Sequence, residues 1–367
     1  MRTRVPVALA LAAGVVLAAG AARAAASPAT SPYPPSALVT GVAWDTTSYR
    51  SAAPGGDIWP VTSGADGGVY TAWGDGPMPG CRAKVSYGTA ALTGGPGANP
   101  VTLGCGPRGQ GRGKIGSLLA IGSTLYGVVN LQDRPWPRNS TALWASTDGG
   151  RSWLKPGWRF AGSDLRPVEL VNLGPGYADA PDAYAYMTAA RPVDPPRAVF
   201  LMRAPADALQ DRTQYAYFAG TDAGGLPVWS ADQGSAVPIF TDPAGANGPA
   251  LVWDAGLGRY LLTVGHGGGG TLGLFEGPTL WGPWSTIDYE NRWLGMRGGD
   301  FLGVRFPSAW MADGGTTLWT VFSCWGRPVC GVYHDRYNLI RATLTLATPP
   351  PPLPSAAIRH ALVRAGR

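Results

Sequence analysis

"GGDIWPVTSGADGGVYTAWGDG", residues 55–76, decides how this chain is read. An apolar run ending at Ser63 meets the turn cluster "SGADGG", and a second run, "VYTAW", follows it. Two apolar runs around a Gly/Asp turn predict a β-hairpin. Asp57 stands just before the first strand, Asp75 just after the second, and Asp66 in the turn. A hairpin reverses direction, so Asp57 and Asp75 belong at one end and Asp66 at the other. Adjacent strands lie about 5 Å apart. The spacing therefore predicts two carboxylates side by side, with Asp66 a turn residue only.

The same unit recurs. It is seen again as "IGSLLAIGSTLYGVVN" (115–130), "VELVNLGPGYADAPDAYAYMT" (168–188), "PALVWDAGLGRYLLTVGH" (249–266) and "FPSAWMADGGTTLWTVFSCW" (306–325). Each copy is followed by further strand-like runs, such as "AVFLMRAP" and "YNLIRATLTL". Four strands cannot bury both faces of their own sheet, so repeated sheets must pack on one another. Five copies predict an all-β chain folded as a five-bladed β-propeller. Two stacked sandwiches are the alternative, but their strands would show no longer repeat. "STDGGRSW" (146–153) fits the Asp-box of sialidase-type propellers, in which the aspartate caps an outer turn, so Asp148 reads as structural. "APADALQDRTQYAYF" (204–218) is the nearest approach to helical period and predicts one or two turns.

The ends read differently. Residues 1–24 carry Arg2 and Arg4, an apolar run of small residues and an A-x-A site, the pattern of a secretory signal peptide. Residues 25–37 form a Pro/Ser/Ala linker and 348–367 a Pro-rich basic tail, both expected to be extended or disordered. The propeller is expected over 38–347. Without the three arginines of the leader, 26 basic residues face 23 acidic ones. The basic residues are scattered, which excludes a nucleic-acid surface. After leader removal no membrane association is expected, and the protein should be a secreted or cell-envelope monomer. Local pairing of Cys81 with Cys105 and of Cys324 with Cys330 suits an oxidising compartment. No C-x-x-C pair or histidine cluster points to zinc.

In a propeller the loops that enter first strands and leave second strands line one mouth of the channel. Asp57 and Asp75 are the candidate catalytic pair, one ionised and one kept protonated. Lys114, Asn172, Tyr177, Asp179 and Arg305 are candidate substrate ligands at the same mouth. His266 joins them as a binding residue, a base or an ordinary hydrogen-bonded side chain. Charged groups and many tryptophans around a mouth suit sugar binding. No cofactor is called for, while calcium at the axis stays open. A polysaccharide lyase using Tyr177 or His266 as base, and a non-catalytic glycan binder, are the competing readings.

These stretches, with "YADAPDAYAYM" and "GLFEGPTLWGPWSTI", resemble the exported bacterial proteins classed under domain of unknown function 4185. The resemblance covers most of residues 50–346. It implies a five-bladed propeller like that of arabinanases. Some members form glycoside hydrolase family 183, the endo-D-arabinanases, in which two first-blade aspartates carry catalysis. Asp57 and Asp75 match them by position. The family pattern has a basic residue where this chain has Pro181.

Overall fold

A computed structural model describes residues 30–348, apart from 79, 110–112, 132–139, 194–195 and 268. The expected signal peptide, the first part of the linker and the tail from 349 onward lie outside the described residues. The described strands form five antiparallel sheets. Blade I holds Val61–Ser63, Val69–Gly74, Tyr87–Leu92 and Val101–Cys105, in that order from the axis outward. Blade II holds Lys114–Ile121, Thr124–Leu131 and Ser140–Ser146. Its outer edge is completed by bridges from Leu154 to Ala145 and from Phe160 to Thr141. Blade III runs from Arg166–Leu170 through Tyr184–Ala190 and Ala198–Pro205 to Ala216–Thr221 and Pro227–Ser230. Blade IV holds Asn247–Asp254, Arg259–Gly265, Leu272–Gly277 and Ser285–Glu290.

Blade V departs from the expected unit. Its inner strand is Asp300–Arg305, ahead of the "FPSAW" stretch, which forms a short 3-10 turn at Ser308–Trp310. Thr317–Trp325 and Tyr337–Leu346 follow, and the outer strand is Val39–Ala52 from the opposite end of the chain. That pairing closes the ring. It removes the free edge that a terminal blade would otherwise present.

Inner strands of successive blades pack side by side around the axis. The faces between blades are dry: Trp59, Trp73, Val321 and Leu339 join blades I and V, and Leu118, Val129 and Trp144 join I and II. The linker docks instead of hanging free. Tyr33 stacks on Phe240 at 4.9 Å, and the Ser36 hydroxyl donates to Glu276 at 2.9 Å. Glu276 also pairs with Arg259, a structural use. The expectation of one or two turns within 204–218 is met by a single turn. Only a 3-10 turn, Arg212–Gln214, forms there, capped by Asp211, before the chain enters a strand. Asp148 behaves as the Asp-box predicts. It accepts from the Ser152 hydroxyl and amide and from Ser146, and these bonds hold its carboxyl well below the usual range. Both disulfides pair locally, Cys81–Cys105 and Cys324–Cys330. Among the described residues no helix is long and apolar enough to cross a membrane.

Candidate active site

The first hairpin brings its two ends together as its sequence requires. The Asp57 amide donates to the Gly74 carbonyl and the Gly74 amide to the Asp57 carbonyl, both at 3.0 Å. Asp75 is the next residue. Glycine at 74 leaves space that a side chain would deny: a Cβ there would sit 2.5 Å from Asp57 Oδ1 and 3.1 Å from Lys114 Cδ. A Cβ at 76 would strike the backbone of Gly56 at 2.5 Å. The motif "GGD…GDG" thus lets two loops touch. The tryptophans lock them from below. Trp59 Nε1 donates to Gly56 O at 3.0 Å, Trp73 Nε1 donates to Gly76 O at 3.3 Å, and both rings are fully buried.

Lys114 starts the inner strand of blade II and reaches both carboxylates. Its Nζ lies 2.9 Å from Asp57 Oδ2 and 2.5 Å from Asp75 Oδ2. Those two oxygens are therefore at most about 5.4 Å apart, the two contacts laid end to end. Asp57 is buried, and desolvation pushes its carboxyl above the usual range although Lys114 pulls it back. Asp75 and Asp335 add to the upward push. Burial lowers the Lys114 ammonium, but its contacts with Asp57 and Asp75 outweigh that and hold it above the ordinary lysine value. The backbone here is strained: Ile58, Trp59 and Asp75 have φ of 76°, 52° and 50°. Left-handed conformations at non-glycine residues cluster where geometry is held against a cost.

A cavity of about 290 Å³ opens beside this cluster, lined by residues of all five blades. Ile58, Asn130, Arg166, Leu302, Glu169 and Arg305 are among the residues that line it. Asn130 is the cross-strand partner of Lys114. Neither Asn130, Arg166 nor Glu169 was singled out in the sequence. Arg166 occupies in blade III the first-strand position that Lys114 holds in blade II, so the same rule finds it once the strand is begun two residues earlier. Burial pulls the Arg166 guanidinium down. Glu169 is the one acidic residue of its apolar strand, which was the available signal.

The other expected ligands are placed differently. Arg305 ends its inner strand and points into the channel, but its donors are taken. Nε and Nη2 clamp Glu169 at 2.7 and 2.8 Å, Nη1 reaches the carbonyls of Ile58 and Leu302, and Nη2 that of Gly116. It ties four blades together and has no arm left for a sugar. Burial pushes the Glu169 carboxyl up and Arg305 pulls it back. Asn172 lies deeper, accepting from Thr62 Oγ1 at 2.7 Å and donating to the carbonyls of Leu118 and Leu170. Tyr177 and Asp179 sit on the opposite face. They belong to the far-end turn of blade III, where Gly176 abuts Ala65 of the "SGADGG" turn. Tyr177 is buried, with its hydroxyl bonded to Tyr184 O and Tyr186 N, and burial drives its pKa well up. Asp66 bonds to Gly68 N and Tyr70 in that turn, as expected. His266 is buried in blade IV with its ring stacked 3.6 Å from Tyr289, and burial lowers its pKa. Neither Tyr177 nor His266, the two bases that a lyase reading needs, lines the cavity. Arg305 occupies both oxygens of Glu169, so that carboxylate is not offered to a cation.

Residues 117–336 match the family described as domain of unknown function (DUF4185). The chain belongs to the DUF4185 family. The match begins after Asp57, Asp75 and Lys114, so the two acids of blade I and the first residue of blade II all lie ahead of the matched region. No curated protein matches its sequence. Among solved structures, a Bacteroides ovatus ATCC 8483 protein assigned as a hydrolase is similar at 14% identity and TM-score 0.54, over 80% of this chain and 87% of that one. A GH43_1 enzyme from Xanthomonas citri is similar at 12% identity and TM-score 0.50, over 82% of this chain and 94% of that one. At such identities the likeness is one of fold, and it agrees with the propeller seen here.

Proposed function

We propose that the protein is an exported glycoside hydrolase and that a furanose polymer such as arabinan is its substrate. One observation carries the reading: two carboxylates bridged by one lysine, next to a cavity of monosaccharide size whose lining includes Ile58, which follows Asp57, and Asn130, the cross-strand partner of Lys114. The hydrolase assignment of the Bacteroides neighbour and the GH43_1 enzyme from Xanthomonas are consistent with it. The two disulfides accord with export.

The environments divide the labour. Asp57, the more buried acid, holds its proton to higher pH and is the general acid. Asp75 is the nucleophile, positioned by its contact with Lys114. Asp57 protonates the leaving oxygen while Asp75 attacks the anomeric carbon. Water, deprotonated by Asp57, then releases the sugar from Asp75. A separation of about 5–5.5 Å is that of retaining enzymes, and the bound of about 5.4 Å favours this route. Asn130 and Arg166 orient hydroxyls in the cavity. No step needs a metal.

The test is incubation of the purified protein with arabinan, arabinogalactan and a uronate polymer. New reducing ends from a furanose polymer are expected. Release of an unsaturated, ultraviolet-absorbing product from the uronate polymer, or no cleavage of any, overturns the reading.

A further inference from the structure

The loop that follows the second strand of blade V, residues 325–336, carries an apolar surface that the fold does not use. Trp325 is 57% exposed, and Val329 and Val332 are 38% and 60% exposed. Single exposed apolar residues are ordinary, but here three fall within one short loop. Their position is set by topology. Trp325 ends the second strand of blade V, as Gly74 ends that of blade I, and blades I and V are neighbours where the ring closes. Trp325 is also the cross-strand partner of Asp300, the first residue of the inner strand. It stands one strand out from the channel rim.

The loop is joined directly to the carboxylate cluster. The Asp335 amide donates to Cys324 O at 3.0 Å, and the Asp335 carbonyl accepts from the Gly55 amide at 2.6 Å. Gly55 lies two residues before Asp57, and the Asp335 carboxylate is close enough to push the Asp57 carboxyl upward. The Cys324–Cys330 disulfide closes the loop, and the Gly326 amide donates to His334 Nδ1 at 3.3 Å. Glycine at 298 and 299 leaves room beneath it for Val329 and the Cys330 sulfur.

We propose that Trp325 is a stacking platform for a sugar ring, forming a subsite beside Asp57 and Asp75. A tryptophan face is a large apolar surface, and one held in a cross-linked loop loses little freedom on binding. The apolar C–H face of a sugar residue flanking the scissile bond is the ligand that continuity with the carboxylate cluster selects. Trp325 does not line the cavity, so the platform would serve a longer chain rather than a single sugar held there. The proposal rests on the glycan-cleaving reading above and adds the requirement for chain length.

The experiment compares wild type, Trp325→Ala and Trp325→Phe on arabinan and on short arabino-oligosaccharides. Trp325→Ala should raise KM on the polymer about three- to tenfold with kcat unchanged. It should leave the shortest substrates unaffected, and Trp325→Phe should keep most of the wild-type KM. Equal polymer kinetics for Trp325→Ala and wild type overturn the platform while leaving the hydrolase reading intact. If wild type cleaves no glycan, the hydrolase reading fails. Calorimetric binding of arabinan to wild type and Trp325→Ala then decides the platform alone: weaker binding by the variant supports it, and equal binding or none sinks it. A surface that serves an apolar protein partner gives that last result.

Discussion

Lys114 and Asp75 are in contact at 2.5 Å, although they belong to different blades. The lysine starts the inner strand of blade II and the aspartate ends the first hairpin of blade I, so the interface between these blades fixes the pair. The same ammonium touches Asp57. One cation thus bridges both acids.

The pH dependence follows from that arrangement. Asp57 must be protonated to donate, and desolvation raises its pKa above the usual carboxylate range. The basic limb of kcat/KM should therefore lie above that range, with activity lost as pH rises through the folded-state pKa. Lys114→Met removes an influence that lowers Asp57, so the limb should move to higher pH while the rate falls. Asp335→Asn removes one that raises it, so the limb should move to lower pH. A pH–rate profile of the three proteins checks both directions.

Stability carries the same sign. A carboxyl with a raised folded-state pKa binds more protons in the folded than in the unfolded state. Its contribution is present below the unfolded value and is lost as pH rises through the folded one. Wild type should therefore lose stability relative to Asp57→Asn over that window, and thermal melts at a series of pH values read the difference.

The Arg305–Glu169 pair is structural on this account. Removing one partner of a buried ion pair strands the other, at about 3–5 kcal/mol. Arg305→Met should lower the denaturation midpoint by a corresponding amount, measured by denaturant titration. A variant that stays stable but loses only substrate affinity would return Arg305 to the binding role expected from sequence.

The disulfide Cys81–Cys105 closes a loop with a sequence separation of 24 residues. Loop closure of that size is worth about 3 kcal/mol. Replacing both cysteines with serine should lower stability by about that much, again by denaturant titration, without moving the basic limb of the pH profile.

The fold and the acids were legible in the sequence for one reason, that each hairpin states its own two ends. That rule placed Asp57, Asp75 and Lys114 together and Asp66 apart, as the contacts show. It failed where the hairpin is not compact. The blade III turn is long enough that Tyr177 and Asp179 look like mouth residues while they lie at the far end. In blade V the strand Asp300–Arg305 was overlooked, so Arg305 seemed to precede a strand that it ends. Ring closure by Val39–Ala52 depends on pairing across almost the whole chain, and no local pattern encodes a partner that distant. Saturation of Arg305 and Asn172 likewise depends on carbonyls from several blades.

The most direct measurement is the initial rate on the best furanose polymer for wild type, Asp57→Asn and Asp75→Asn, each shown folded by circular dichroism. The account predicts that either replacement lowers kcat about 10²–10⁴-fold, the scale of a lost acid, base or nucleophile. A variant that is folded and retains near wild-type kcat contradicts it.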